Sequence, residues 1–300
     1  MTAEFVQPRR RAFTIRTHEG PGEIAAIELG DPARAIDVLF VHANGFNALT
    51  YRAMLSPLAG RLRVLAIDLE GHGRSPQRRP SEGREGWDAF AEDLIALLGQ
   101  LEGSAPVLAG HSMGGAVAGL AAAARPDKAR ALVLFDPAVT AEALVRQAAA
   151  KPGGRVTFPD MPLALGARRR RTRFASLAAV KAAYQGRGAF ETWPDQALED
   201  YIADGFRPTA DGEVELVCAP ALEAANFTHP SPQAWSALQG LRMPVSILRA
   251  RRGSTCAIKS ADGFVQANPA FEVATIEGST HFLPIESPEL ARAEILRFAG

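Results

Sequence analysis

Residues 105–124, APVLAGHSMGGAVAGLAAAA, pass from an apolar run through a glycine-rich bend into an alanine-rich segment. The apolar run has the length of a buried strand, and alanine has the highest intrinsic helix propensity. A strand joined to a packed helix by so tight a turn belongs to an α/β sheet. No other stretch constrains the fold as much. The bend also satisfies G-x-S-x-G over Gly110–Gly114. In that arrangement a serine on a strained strand-to-helix turn exposes its Oγ, and small residues two before and two after it let the chain pass closely. The helix that follows turns its free N–H groups and partial positive charge toward a developing oxyanion. Because glycines also serve turns that carry no chemistry, Ser112 needs a base and an acid elsewhere in the chain.

The flanking sequence supports an alternating architecture. AFTIRT (12–17) and EIAAIEL (23–29) read as an opening pair of strands with a Gly-Pro-Gly turn at 20–22. IDVLFVH (36–42) and LRVLAIDL (62–69) are continuous apolar runs, as expected of strands buried on both faces. Between them, residues 48–60 read as a helix that stops at Gly60. WDAFAEDLIALLGQL (87–101) places Phe90, Leu94, Leu97, Leu98 and Leu101 at helical spacing. After the strand ARALVLFDPAV (129–139) the alternation lapses. It resumes with the strand MPVSILRA (243–250), a helical 260–268 and the strand AFEVATIEG (270–278). A last helix covers 287–299, with Pro288 in its first turn and Ser287 as the expected N-cap. The expectation is a mostly parallel sheet flanked by helices, built from 1–136 and 241–300. The segment 137–240 is then an insertion between two of its strands.

Composition removes several function classes. Thirty-three basic and thirty-three acidic residues give zero formal net charge, so nothing points to nucleic acid or an anionic membrane. Two cysteines, Cys218 and Cys256, make neither a disulfide framework nor a C-x-x-C metal or redox site, which fits a reducing compartment. The opening MTAEFVQPRRRAF has no apolar core behind its basic residues, and no run approaches a membrane span. The expected location is cytoplasmic.

A serine hydroxyl is a poor nucleophile without a base. Of six histidines, His281 in EGSTHFLPIESPE follows the last expected strand, at the carboxyl edge that also carries the serine turn. It is the expected base. His42 and His72 sit in loop-shaping sequences, and His111, adjacent to the serine, should point away from Oγ.

Together VHANGFN, AIDLEGHGRS, GHSMGG and GSTHFLPIESP resemble the α/β-hydrolase superfamily, in that family's order and over roughly 12–136 and 241–300. The resemblance implies an eight-stranded sheet whose second strand runs antiparallel, with a helical cap where 137–240 stands. It also implies a nucleophile–acid–histidine triad in chain order. Many relatives carry the acid just after the seventh strand, but here that loop reads RRGSTCAIKSADG, and its first carboxylate is Asp262. The alternative position used in the superfamily is the end of the sixth strand, where LVLFDPAV ends in Asp136. Asp136 is favoured over Asp262, because a carboxylate there can orient the imidazole and stabilise its cation. An Asp-Pro turn is its competing explanation. Asp68, in the loop after the fourth strand, has a structural role in the family.

One oxyanion donor is the backbone N–H of Met113. The other, by resemblance to the usual His-Gly-x segment, is the N–H of Asn44, with Ala43 where glycine is usual. The Asn44 side chain is a further potential donor, and Phe46 is an expected pocket wall. In the expected cap, GARRRRTRF (166–174) carries five arginines in six positions, which fits an anion site or a solvated face. Phe190, Trp193, Tyr201, Phe206 and Phe227 are aromatics available to a pocket, with Trp193 and Phe227 selected as lining.

These observations describe a serine hydrolase, free of metal and cofactor, that cleaves a small apolar carboxylic ester or lactone. A C–C bond hydrolase or thioesterase would use the same residues, and a non-hydrolytic receptor the same fold. The expected partner is a small molecule, with a homodimer left open.

Overall fold

The computed structural model describes residues 7–81, 86–150 and 156–300, so the first six residues of the opening segment lie outside it. Its main sheet has eight strands: β1 (Arg9–Thr17), β2 (Gly20–Leu29), β3 (Val38–Val41), β4 (Val64–Ile67), β5 (Val107–His111), β6 (Ala131–Phe135), β7 (Val245–Arg252) and β8 (Phe271–Thr280). They lie in the order β1-β2-β4-β3-β5-β6-β7-β8. β2 pairs antiparallel with both β1 and β4, and every pairing from β4 to β8 is parallel. This is the α/β-hydrolase topology the motifs implied.

The central strands are buried on both faces, and their alternation divides the core in two. Leu39, Val41, Leu108, Leu132 and Leu134 pack with the helices Asp88–Leu98 and Met113–Ala124. Val38, Phe40, Val107, Ala109, Val133 and Phe135 face the other way, onto Ala291, Ile295 and Ala299 of the helix Pro288–Ala299. This second core also takes in Phe174, Trp193, Leu198, Tyr201 and Phe206, so the inserted segment shares it with the sheet. Ion pairs on buried carboxylates tie the two together. Asp200 holds Arg52 at 2.6 Å, and Asp204 takes both Arg10 and Arg74.

Several local expectations change. The first hairpin turns at His18–Glu19, because Thr17 pairs with Gly20, which has φ +108°; Gly20–Gly22 therefore begins β2. Residues 48–60 form three short pieces, Ala48–Tyr51, Arg52–Leu55 and Ser56–Gly60. Pro57 has no N–H with which to continue an α-helix, which accounts for the 3₁₀ geometry of the last piece. Ser287 occupies the N-cap position, but its side chain makes no capping bond. The inserted segment is not purely helical. Arg173–Phe174, Phe206–Pro208 and Val214–Leu216 form a small antiparallel sheet beside its helices. Among the described residues no helix is long and apolar enough to cross a membrane.

Candidate active site

Ser112 stands between β5 and the helix Met113–Ala124 with φ +55° and ψ −122°, a conformation costly for a residue with a Cβ. Two glycines make it sterically accessible. A Cβ on Gly114 would lie 2.3 Å from the Val41 carbonyl oxygen, and one on Gly110 would lie 2.6 Å from that of Gly114. The turn is held by Ser112 N–H donating to Phe135 O, and by Ser112 O accepting from Gly115 and Ala138 N–H. The strain is thus fixed by the adjacent strand and by the helix start.

His281 directly follows β8. Its Nδ1 lies 2.7 Å from Asp136 Oδ2, and its Nε2 lies 3.0 Å from Ser112 Oγ. An ionised carboxylate only accepts, so Nδ1 carries the proton and Nε2 is left to accept from the serine hydroxyl. The structure therefore brings Ser112, His281 and Asp136 into one hydrogen-bonded chain. Asp262 is not part of it, and accepts from Lys259 N–H instead. Asp68 clamps loops, accepting from Ala48 N–H at 2.7 Å and Arg74 N–H at 2.8 Å.

Asp136 directly follows β6, fully buried and at φ +40°. The end of β7 and the loop after it, which has no carboxylate before Asp262, supply its donors. Oδ1 accepts from Ala250 N–H at 2.9 Å and from the Ser254 hydroxyl at 2.5 Å, and Oδ2 accepts from Thr255 N–H at 2.9 Å. Thr255 Oγ1 also donates to the Asp136 carbonyl. Since Ser254 Oγ accepts from Cys256 N–H, its own proton is directed at the carboxylate. Burial alone would raise the Asp136 pKa, but His281, Ser254 and the Ala250 N–H together hold it below the ordinary carboxylate value. The sequence singled out neither Ser254 nor Thr255; the missing acid in their loop was the available signal.

His111 points away from Oγ, as expected, and acts as a brace. Its Nε2–H donates to the His281 carbonyl at 2.7 Å, and its Nδ1 accepts from Tyr51 OH at 2.7 Å. Tyr51 OH in turn accepts from Ala43 N–H. Burial, then the neighbouring His281, push the His111 pKa down to about 3, so this bridge between the Ala43 loop and the His281 loop stays neutral. His42 joins two loops similarly, donating to Ala43 O and accepting from Leu69 N–H.

Neither Met113 N–H nor Asn44 N–H has a protein acceptor among the described residues, and both residues line the cavity onto which Ser112 opens. The Asn44 side chain is turned to the helix Pro220–Thr228. Its Nδ2 donates to Glu223 O, and its Oδ1 accepts from Asn226 Nδ2. The cavity measures about 740 Å³, within the range of roughly 300–1,000 Å³ typical of small-molecule sites. Phe46, Phe190 and Phe227 line it. Trp193, Tyr201 and Phe206 do not; they pack behind it, Trp193 edge-on to Phe46 at 5.0 Å and close to Phe282. Large aromatics on the inner side of the inserted segment were absorbed by the shared core.

The arginine run is not a single face. Arg170 turns inward, donating to Glu223 at 2.5 Å and to Tyr201 OH at 2.6 Å. Arg171 lies over the Phe174 ring at 4.4 Å, and Arg173 pairs outward with Asp211 and Glu213. Among the described residues no cluster of three or more His, Cys, Asp or Glu side chains is arranged to hold a metal ion.

Comparison with known proteins bears on the family and the fold. The sequence model of the alpha/beta hydrolase family matches residues 38–294. A 2-(acetamidomethylene)succinate hydrolase of Mesorhizobium japonicum is 26% identical over 263 residues, 87% of each chain. Lipase LipV of Mycobacterium tuberculosis is 43% identical over 112 residues, which span 36% of this chain and 38% of the lipase. The crystal structure of an E-2-(acetamidomethylene)succinate hydrolase superposes with a TM-score of 0.71 at 24% identity, covering 97% of this chain and 99% of that one.

Proposed function

Given that the chain belongs to the alpha/beta hydrolase family and is a hydrolase of that fold, we propose that it is a serine hydrolase cleaving a carboxylic ester or lactone through an acyl-enzyme. The observation that carries this reading is the chain from Ser112 Oγ through His281 to Asp136, 3.0 and 2.7 Å in its two links, opening on a cavity beside two uncommitted backbone donors.

His281 Nε2 takes the Ser112 proton as Oγ attacks the carbonyl carbon. Met113 and Asn44 N–H receive the oxyanion. Asp136 stabilises the imidazolium without taking its proton. His281 then protonates the leaving alcohol, and an acyl-enzyme remains on Ser112. Water, deprotonated by His281, attacks that acyl group and releases the acid. The insertion at 137–240 acts as a cap, supplying Phe158, Met161, Phe190 and Phe227 to an apolar substrate chamber.

A fluorophosphonate probe tests the reading directly. Mass mapping is expected to find the adduct on Ser112, and Ser112→Ala is expected to abolish both labelling and steady turnover of p-nitrophenyl esters. An adduct elsewhere, or turnover that survives Ser112→Ala, overturns it. Product analysis on ester, lactone and thioester panels separates the bond types that these residues are able to cleave.

A further inference from the structure

Charge is distributed unevenly around the cavity above Ser112. Beyond His281, its charged lining consists of Arg170, Arg171, Arg187 and Glu223. Glu223 is committed to Arg170 at 2.5 Å, and the Tyr184 and Tyr201 hydroxyls engage the same guanidinium. That pair is neutral and fixed. Arg171 and Arg187 have no carboxylate partner among the described residues; Arg171 stacks on Phe174 and donates through Nε to Arg173 O. Both are exposed members of that lining. The chain as a whole has as many acidic as basic residues, so this excess of two positive charges is local. Most of the remaining lining is apolar, including Ala138, Val139, Phe158, Met161, Leu163 and Phe227. Apolar walls screen a charge less than open water does, and a guanidinium offers a carboxylate two parallel donors.

We propose that the substrate is an anionic amphiphile: an ester whose apolar body fills the chamber over Ser112 and whose far end carries an anionic group, held by Arg171 and Arg187. The inference rests on the reading of the chamber as an acyl-transfer site. Arg170 has no part in anion capture, because Glu223 already neutralises it. Its position in the wall serves to keep the helix Pro220–Thr228 against the Asn44 loop, through Glu223 and the bond from Asn44 Nδ2 to the Glu223 carbonyl.

The test compares p-nitrophenyl half-esters of dicarboxylic acids, from adipate to sebacate, with methyl-capped diesters of the same lengths. Nitrophenol release is measured on the full chain. At low salt the best half-ester is expected to exceed its capped partner roughly tenfold in kcat/KM, mostly through KM, as two partly exposed ion pairs allow. The ratio is expected to shrink as ionic strength rises. Arg171→Gln/Arg187→Gln should bring it to about one, while Arg171→Lys/Arg187→Lys should keep most of it. A ratio of one or less in the native protein, with capped diesters turned over normally, overturns this inference and leaves the proposed function standing. A preference unchanged in the Gln variant also overturns the assignment to these arginines. If neither series is turned over and Ser112 takes no fluorophosphonate, the proposed function falls and this inference falls with it.

Discussion

Asp68 and Asp136 are the same residue type in equivalent places, each the first residue beyond a parallel strand and each almost wholly buried, at 1% and 0% exposure. Their chemistry diverges. Asp68 accepts two backbone N–H bonds and feels the nearby Asp204 charge, so burial dominates and pushes its pKa up to about 7. Asp136 is as buried, yet it accepts from two backbone N–H groups, a serine hydroxyl and an imidazole, and its pKa is held down. Burial sets the cost of a carboxylate, and the number and kind of its donors decide whether that cost is met. Only Asp136 has both a stabilised charge and a histidine to act on.

The largest test of this difference is activity. Asp136→Asn is expected to lower kcat/KM by roughly 10⁴-fold with the fold retained, by analogy with triad variants. Asp68→Asn should cost less than about tenfold, because it acts only through loop position. Equal losses in the two variants, in proteins with native circular dichroism, would break the comparison.

A smaller effect isolates the donors. Ser254→Ala removes one hydrogen bond to the Asp136 carboxylate and should lower turnover by about tenfold, the equivalent of about 1.4 kcal/mol for a hydrogen bond to a charged group. Losing a donor to the anion raises the Asp136 pKa, so the acid limb of the pH–rate profile should move to higher pH. Ser254→Thr, which keeps the hydroxyl, should restore both. A loss of activity with no movement of the profile would mean that Ser254 acts only through packing.

Stability against pH should carry the two signs separately. For Asp68, the folded value lies above the unfolded one. Its contribution is therefore fully present below the unfolded carboxylate value and is lost as pH rises through about 7. For Asp136, the folded value is depressed. Its contribution is present above the unfolded value and is lost as pH falls through the folded one. Urea midpoints across this range should show the neutral-side slope flattened in Asp68→Asn and the acid-side slope flattened in Asp136→Asn.

The smallest effect is expected at Asp262. It accepts from Lys259 N–H at 2.7 Å, away from His281, so Asp262→Asn should leave turnover unchanged and cost under about 1 kcal/mol in thermal unfolding. A large loss of activity there would return it to candidacy as the acid.

The features legible in the sequence are those with a local physical signature. Buried parallel strands write continuous apolar runs, and Gly110 and Gly114 mark positions where no Cβ fits. Ser112 was marked by G-x-S-x-G and His281 by its place after the last strand, whereas Asp136 followed from the resemblance to the α/β-hydrolase superfamily. The strands of the inserted segment are two or three residues long, too short to carry a period. Trp193 was expected to line the pocket and Tyr201 was available to it, but residue type does not distinguish a cavity wall from the core behind it.

By itself the sequence determined the strands of the sheet, the serine turn and the edge of the sheet that carries the candidate site, because these follow from apolar patterning and from steric limits within a few residues. Tertiary structure alone decided which carboxylate meets His281, because that depends on the loops after β6, β7 and β8 converging from more than a hundred residues apart. It also decided that the loop without an acid holds the acid of its neighbour. Tertiary contacts likewise turned one arginine of five inward to Glu223 and left Arg171 exposed among the cavity-lining residues, since contacts with other segments fix the partner of each guanidinium.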